Sequence, residues 1–153
     1  MIDRDDDGIW MVLQETVHVH HEEVFAALTT EAGLMRWYCI SAEVDLRQGG
    51  LVVFGWDAKM TRTSTVAILD YDAGGRVVWD WHPGSGDMHA PVYWTVAPDV
   101  EAGSKITFRQ GPFTEDAESL LVMANEAQTW RWYLCNLRSV FEAKLDMRKV
   151  RPL

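Results

Sequence analysis

An α+β fold is predicted: a curved antiparallel sheet of about six to seven strands wrapped around a long C-terminal helix, with two short helices after the first strand. Three observations carry this. An apolar, β-branched opening segment changes abruptly to helical spacing near His20. Residues from Ser41 to Gly111 carry strand patterns separated by short turns. The final third returns to a 3.6-residue period and keeps it.

The first strand is read over Ile9–Val19, "IWMVLQETVHV", rich in β-branched and apolar residues. In "HHEEVFAALTT", Val24, Phe25 and Leu28 then share a helical face, with Glu22 and Glu23 well placed near the helix start. "TEAGLMRWY" gives the second short helix, with Thr30 as N-cap and Gly33 as a weak point inside it. The strands that follow alternate. Val52, Phe54 and Trp56 share a face, as do Val77, Trp79 and Trp81, with Asp80 and His82 on the opposite side. Val92, Trp94 and Val96 form another set, and Ile106 and Phe108 a further one. "AGGR" reads as a hairpin turn needing positive φ, and "PGSGDMHAP" as a mobile loop. Short turns between successive strands imply an antiparallel meander. The last helix is predicted over Ser119–Met147, about 40 Å long. At 100° steps Val122, Met123, Trp130, Tyr133, Leu134, Leu137 and Phe141 fall in one apolar sector. Trp132 lies about 200° from Trp130, so it should face another element or a dimer partner.

The 153 residues fit one domain over 1–153, with residues 1–8 expected as a flexible acidic N-terminus. Net charge is 14 − 23 = −9, which argues against nucleic acid or anionic membrane as partners. The acidic clusters and the basic end "KLDMRKVR" read as solvated segments. No apolar run reaches membrane-spanning length, and the acidic start does not resemble a secretory signal, so a cytoplasmic location is expected. Cys39 and Cys135 are expected reduced and buried. No nucleophile elbow, phosphate loop, dinucleotide fingerprint or C-x-x-C pattern is present.

The pieces "VHVHHEEVFAALTTEAGLMRWY", "DLRQGG", "LDYDAGGRVVWDW", "GSKITFRQGPF" and "WYLCNLRSVFE" together resemble the START-like (SRPBCC) superfamily. Within it, the chain resembles homologues of the activator of the ninety-kilodalton heat-shock chaperone's ATPase. Their order carries the resemblance, since no single piece is a sharp motif. It implies a helix-grip fold with an apolar cavity between sheet and C-terminal helix. The superfamily includes lipid and hormone carriers and aromatase/cyclases, so fold alone does not assign function. One departure is the apolar run "EDAESLLVMANEAQTW" before Trp130, which implies a different pocket mouth.

Eight tryptophans exceed what a core of this size needs. Core filling explains any one of Trp56, Trp79, Trp81, Trp94 and Trp130, yet so many inward rings favour an aromatic-lined pocket. Trp37, Phe54 and Phe108 join them as candidate ligand-binding residues, with Met123, Glu126, Trp130 and Tyr133 on the helix. Glu126 lies inside the apolar sector, where a carboxylate must be paired, sit near a cavity mouth or carry a raised pKa. The plainer reading, a partly exposed residue where the helix leaves the sheet, is slightly preferred. His18, His20 and His21 lack the fixed third or fourth ligand that zinc needs, so no metal and no cofactor are expected. His82 and His89 flank the mobile loop, where one could act as a base.

The leading expectation is a binding module holding a small apolar or aromatic ligand. A cyclase- or dehydratase-like enzyme using Glu126 or His82 is the alternative, with a chaperone-ATPase co-factor third. A homodimer is possible, and chaperone contact is not favoured.

Overall fold

The computed structural model describes residues 1–84 and 87–150. Strands β1 (Ile2–Asp5) and β2 (Gly8–Val17) open the chain, followed by helices α1 (His21–Thr29) and α2 (Glu31–Trp37). A meander follows: β3 (Ser41–Val44), β4 (Leu51–Gly55), β5 (Thr63–Asp72), β6 (Arg76–Trp79), β7 (Val92–Asp99) and β8 (Gly103–Phe113). Helix α3 (Ala117–Glu142) and a terminal turn, α4 (Met147–Val150), complete the described order. The eight strands form one antiparallel sheet in the order β1-β2-β8-β7-β6-β5-β4-β3. β8 returns beside β2, so the α1–α2 excursion and the meander are closed by one long-range pairing.

The strand count exceeds the expectation because the acidic N-terminus is ordered. Residues Ile2–Asp5 pair with Met11–Gly8, where a flexible segment was expected. The Asp5 carboxylate accepts the Asp7 and Gly8 amides and closes the turn, and Gly8 supplies φ +145°. The charges have partners: Arg109 holds Asp5 at 3.0 Å while its guanidinium covers the Trp10 ring at 3.7 Å. An exposed, charged edge strand also discourages edge-to-edge association.

Alternation along the inner strands follows the predicted parity. Val92, Trp94 and Val96 of β7 are buried, as are Ile106, Phe108 and Gln110 of β8. Thr30 caps α2 as expected, its Oγ1 accepting the Gly33 amide at 3.0 Å.

Helix α3 stops at Glu142, short of the predicted Met147. Lys144 adopts φ 55°, and the Ala143 and Leu145 amides both turn back to the Ser139 carbonyl. This left-handed stop uses lysine where glycine is the usual signal, so it was not visible in the sequence. The basic end is not simply solvated either. Arg148 donates to the carbonyls of Cys39 (2.8 Å) and Met35 (2.7 Å) and pairs with Asp146 at 2.8 Å. Fully buried Asn136 completes the clasp. Its Nδ2 donates to the Trp37 carbonyl at 2.8 Å, and its Oδ1 accepts the Met147 amide at 2.7 Å. The C-terminal turn is thereby fastened to α2.

The cysteines differ from expectation in one case. Cys39 is buried, but Cys135 is exposed, because it projects from the side of α3 between inward Leu134 and Asn136. Burial pushes the Cys39 thiol up to about 11, only partly offset by the Arg148 charge. Since the thiolate is the reactive form, iodoacetamide at pH 8 should label Cys135 and leave Cys39 unmodified in the folded chain. Peptide mapping checks this; equal labelling of both would contradict the burial. Among the described residues, no helix is long and apolar enough to cross a membrane.

Candidate functional site

The site is built where α3 crosses the sheet and α2. Trp130, two turns into the predicted inward sector, is its centre. Its ring lies 5.1 Å from both Trp81 and Phe108, 5.5 Å from Tyr38 and 5.6 Å from Trp94. Trp79 joins at 6.5 Å and Tyr133 at 6.3 Å. Phe54 of β4 packs edge-on against Trp79 at 5.3 Å, with Trp56 behind it. Trp37 meets Trp94 and Tyr133 edge-on, and its Nε1 donates to the Ala27 carbonyl at 2.8 Å. Every aromatic residue named above as a ligand-binding candidate therefore enters one network. Such edge-to-face contacts each add roughly 0.5–1.5 kcal/mol beyond area burial.

The network has an inside and a rim. Trp37, Phe54, Trp79, Trp94, Phe108 and Trp130 are each 2% exposed or less, and Met123 is buried beside them. Trp56, Trp81, Tyr133 and Glu126 are half-buried and reach the surface. The inner rings are thus shielded from solvent between helix and sheet, and the rim is what another molecule can touch.

Glu126 is the polar element of this rim. Its Oε2 accepts from Gln110 Nε2 at 2.9 Å and from Trp130 Nε1 at 3.1 Å, one helical turn away. Of the outcomes open at sequence level, pairing and partial exposure both hold. Gln110 is fully buried, and among the described residues its Oε1 has no partner; the indole N–H groups of Trp79 and Trp94 are likewise buried without one there. Buried polar atoms are normally satisfied, so three unpaired ones around the same helix are unusual.

Two members escaped sequence reasoning. Gln110 continues the inward parity of Ile106 and Phe108, and that signal could have found it. Tyr38 stands one residue beyond α2, where helical periodicity gives no direction. It is buried and stacks on Trp130 at an interplanar angle of 9°. Burial, with a smaller push from Tyr133, holds its hydroxyl well above the usual range. Burial likewise raises the Tyr133 hydroxyl.

His82 is placed elsewhere. Trp81 turns inward to Trp130, whereas His82 projects from the opposite face and lies 3.4 Å from Asp80. The two acid–base candidates, Glu126 and His82, are therefore not brought together. His20 serves as the α1 N-cap, its Nδ1 accepting the Glu22 amide at 3.3 Å. Trp132 is half-buried and meets Tyr133 edge-on at 5.2 Å, on the side away from the network. A surface cleft of about 360 Å³ adjoins the start of α3, between Pro83, Met88, Ser119 and Val122, one turn before Glu126.

The sequence family described as Activator of Hsp90 ATPase homolog 1-like protein matches residues 18–142. The chain belongs to this family. That span holds every residue of the aromatic network, while β1, β2 and α4 lie outside it. No curated protein matches. Among solved structures, a Staphylococcus saprophyticus protein is 16% identical, covering 91% of this chain and 96% of its own, with a TM-score of 0.76. The solution structure of the Aha1 dimer from Colwellia psychrerythraea is 18% identical, covering 87% and 96%, with a TM-score of 0.70. DynU16, described as belonging to the dynemicin biosynthetic locus, is 18% identical over 90% of this chain and 48% of its own, with a TM-score of 0.70. At these identities the structural likenesses establish the helix-grip, START-like fold that this family member adopts.

Proposed function

We propose that this protein binds a small apolar or aromatic molecule at the aromatic rim between α3 and the sheet, with Glu126 as its polar anchor. The observation that carries this reading is the position of Glu126: a carboxylate at the partly exposed end of a ring network, held by Gln110 and Trp130. Trp56, Trp81 and Tyr133 supply faces for stacking, and the carboxylate accepts a hydrogen bond from a hydroxyl or amine on the ligand. The unpaired Gln110 and indole groups support a ligand with polar atoms as well as rings. DynU16, a fold relative from a biosynthetic locus, fits such a role. A second copy of the chain is the other partner in this reading, as in the Colwellia dimer; a chaperone contact is not included.

Two probes test the anchor. 2-Naphthol should quench tryptophan emission and raise the melting temperature, and Glu126→Gln should weaken its binding about tenfold. Naphthalene, which has no hydroxyl, should bind wild type and variant alike. If neither probe changes emission or melting temperature, the binding reading fails; if the variant binds 2-naphthol as wild type does, Glu126 is not the anchor.

A further inference from the structure

We propose that Asp80, His82 and His89 form a binding site for one divalent transition-metal ion of the zinc type. This site is separate from the aromatic rim and does not rest on the ligand-binding reading. The argument begins with register. β6 and β7 pair antiparallel with Trp79 opposite Val92. The pairing runs on past the strand ends, since the Ala90 amide donates to the Trp81 carbonyl at 2.9 Å. In that register His82 falls opposite His89, and their rings lie 4.8 Å apart. Asp80 is two residues before His82, hence on the same face. Alternation that turns Trp81 into the ring network therefore turns all three ligand-type side chains outward together.

The geometry suits an ion. The three ligand atoms all lie within 4.8 Å of one another. His82 Nε2 stands 3.4 Å from Asp80 Oδ1, and His89 Nε2–H donates to the same oxygen. Zinc bonds of ~2.0–2.1 Å at tetrahedral angles place neighbouring ligand atoms ~3.3 Å apart, so small side-chain rotations suffice. Among the described residues, no lysine or arginine pairs with Asp80; its charge is answered only by the two imidazoles. The supporting backbone is held: the Asp80 amide donates to the Ala67 carbonyl of β5 at 2.8 Å, and Trp81 packs 5.1 Å from Trp130. Two imidazoles and one carboxylate select zinc, cobalt, nickel or copper over calcium and magnesium. Three protein ligands leave a fourth position open to water.

The sequence alone points elsewhere, to the "HVHH" run, because proximity in the chain is visible there. The Asp80 site is assembled across a loop, so it depends on a register the sequence does not display.

The test is calorimetric titration of zinc sulfate into untagged, chelator-treated full chain. One ion per chain is expected. His82→Ala and His89→Ala should each weaken binding more than about tenfold, and the double variant should abolish it. The His18→Ala/His20→Ala pair serves as control and should bind as wild type. Cobalt in the same site should give a visible ligand-field band that disappears in the double variant. Both histidine side chains are over half exposed, at 56% and 51%, so these variants should keep the wild-type fold, which far-ultraviolet circular dichroism confirms. Zinc at a hundredfold excess over its dissociation constant should raise the melting temperature by about 5 °C. Absence of a saturable one-ion isotherm overturns the proposal, as does equal affinity in the His82/His89 double variant or loss of binding in the His18/His20 control.

Discussion

Trp130→Ala should destabilise the protein by roughly 3–5 kcal/mol and lower its melting temperature by about 10 °C. The ring is 2% exposed and touches partners from β6, β7, β8 and the segments after α2 and β6, so its removal leaves a large hole. Surrounding indoles cannot collapse into that space, because they are held by other edge-to-face contacts. The cost comprises the lost transfer energy plus a cavity term. Glu126 also loses one of its two donors. Urea unfolding of wild type and variant gives the number. A loss below about 1 kcal/mol would mean that the ring stands in an already open space rather than in packed core. The same experiment therefore weighs core filling against an internal pocket, the choice that eight tryptophans left undecided.

Gly33→Ala should cost about 2–3 kcal/mol, opposite in sign to what helix propensity alone predicts. In an isolated helix, alanine would gain up to about 1 kcal/mol over glycine. Here a Cβ would stand 2.1 Å from the Ala26 carbonyl oxygen and 2.7 Å from the Ala27 Cα. Those atoms belong to the backbone of α1, which has little freedom to yield. The residue read from sequence as a weak point of α2 is thus where the two short helices touch. The shift in urea midpoint decides the sign; a stabilised variant would show that α2 can move away from α1 without loss.

Much of the frame was legible because faces are local. Period 2 placed Trp94 and Val96 with Ile106 and Phe108, and period 3.6 placed Trp130, Leu134, Leu137 and Phe141. The cap at Thr30 and the ring network were readable for the same reason. What escaped depended on contacts between distant segments. β1 looked like a solvated acidic run until Arg109 and the Asp5 turn gave its charges partners. The end of α3 rested on a left-handed lysine, and the burial of Arg148 on carbonyls of Met35 and Cys39 more than a hundred residues away. Cys135 was assigned by its apolar neighbours, although helical position turns it outward.

By itself the sequence determined the order of elements, which face of each is apolar, and that one carboxylate, Glu126, stands within an apolar helix sector. Only the tertiary structure decided which rings are sealed and which form the rim, that Gln110 and Trp130 hold Glu126, and that Asp80, His82 and His89 converge. Periodicity is a property of neighbouring residues along the chain and is written locally. Register, close approach and hydrogen-bond partnership arise between segments far apart in sequence, and packing settles them only when the whole sheet closes on its helix.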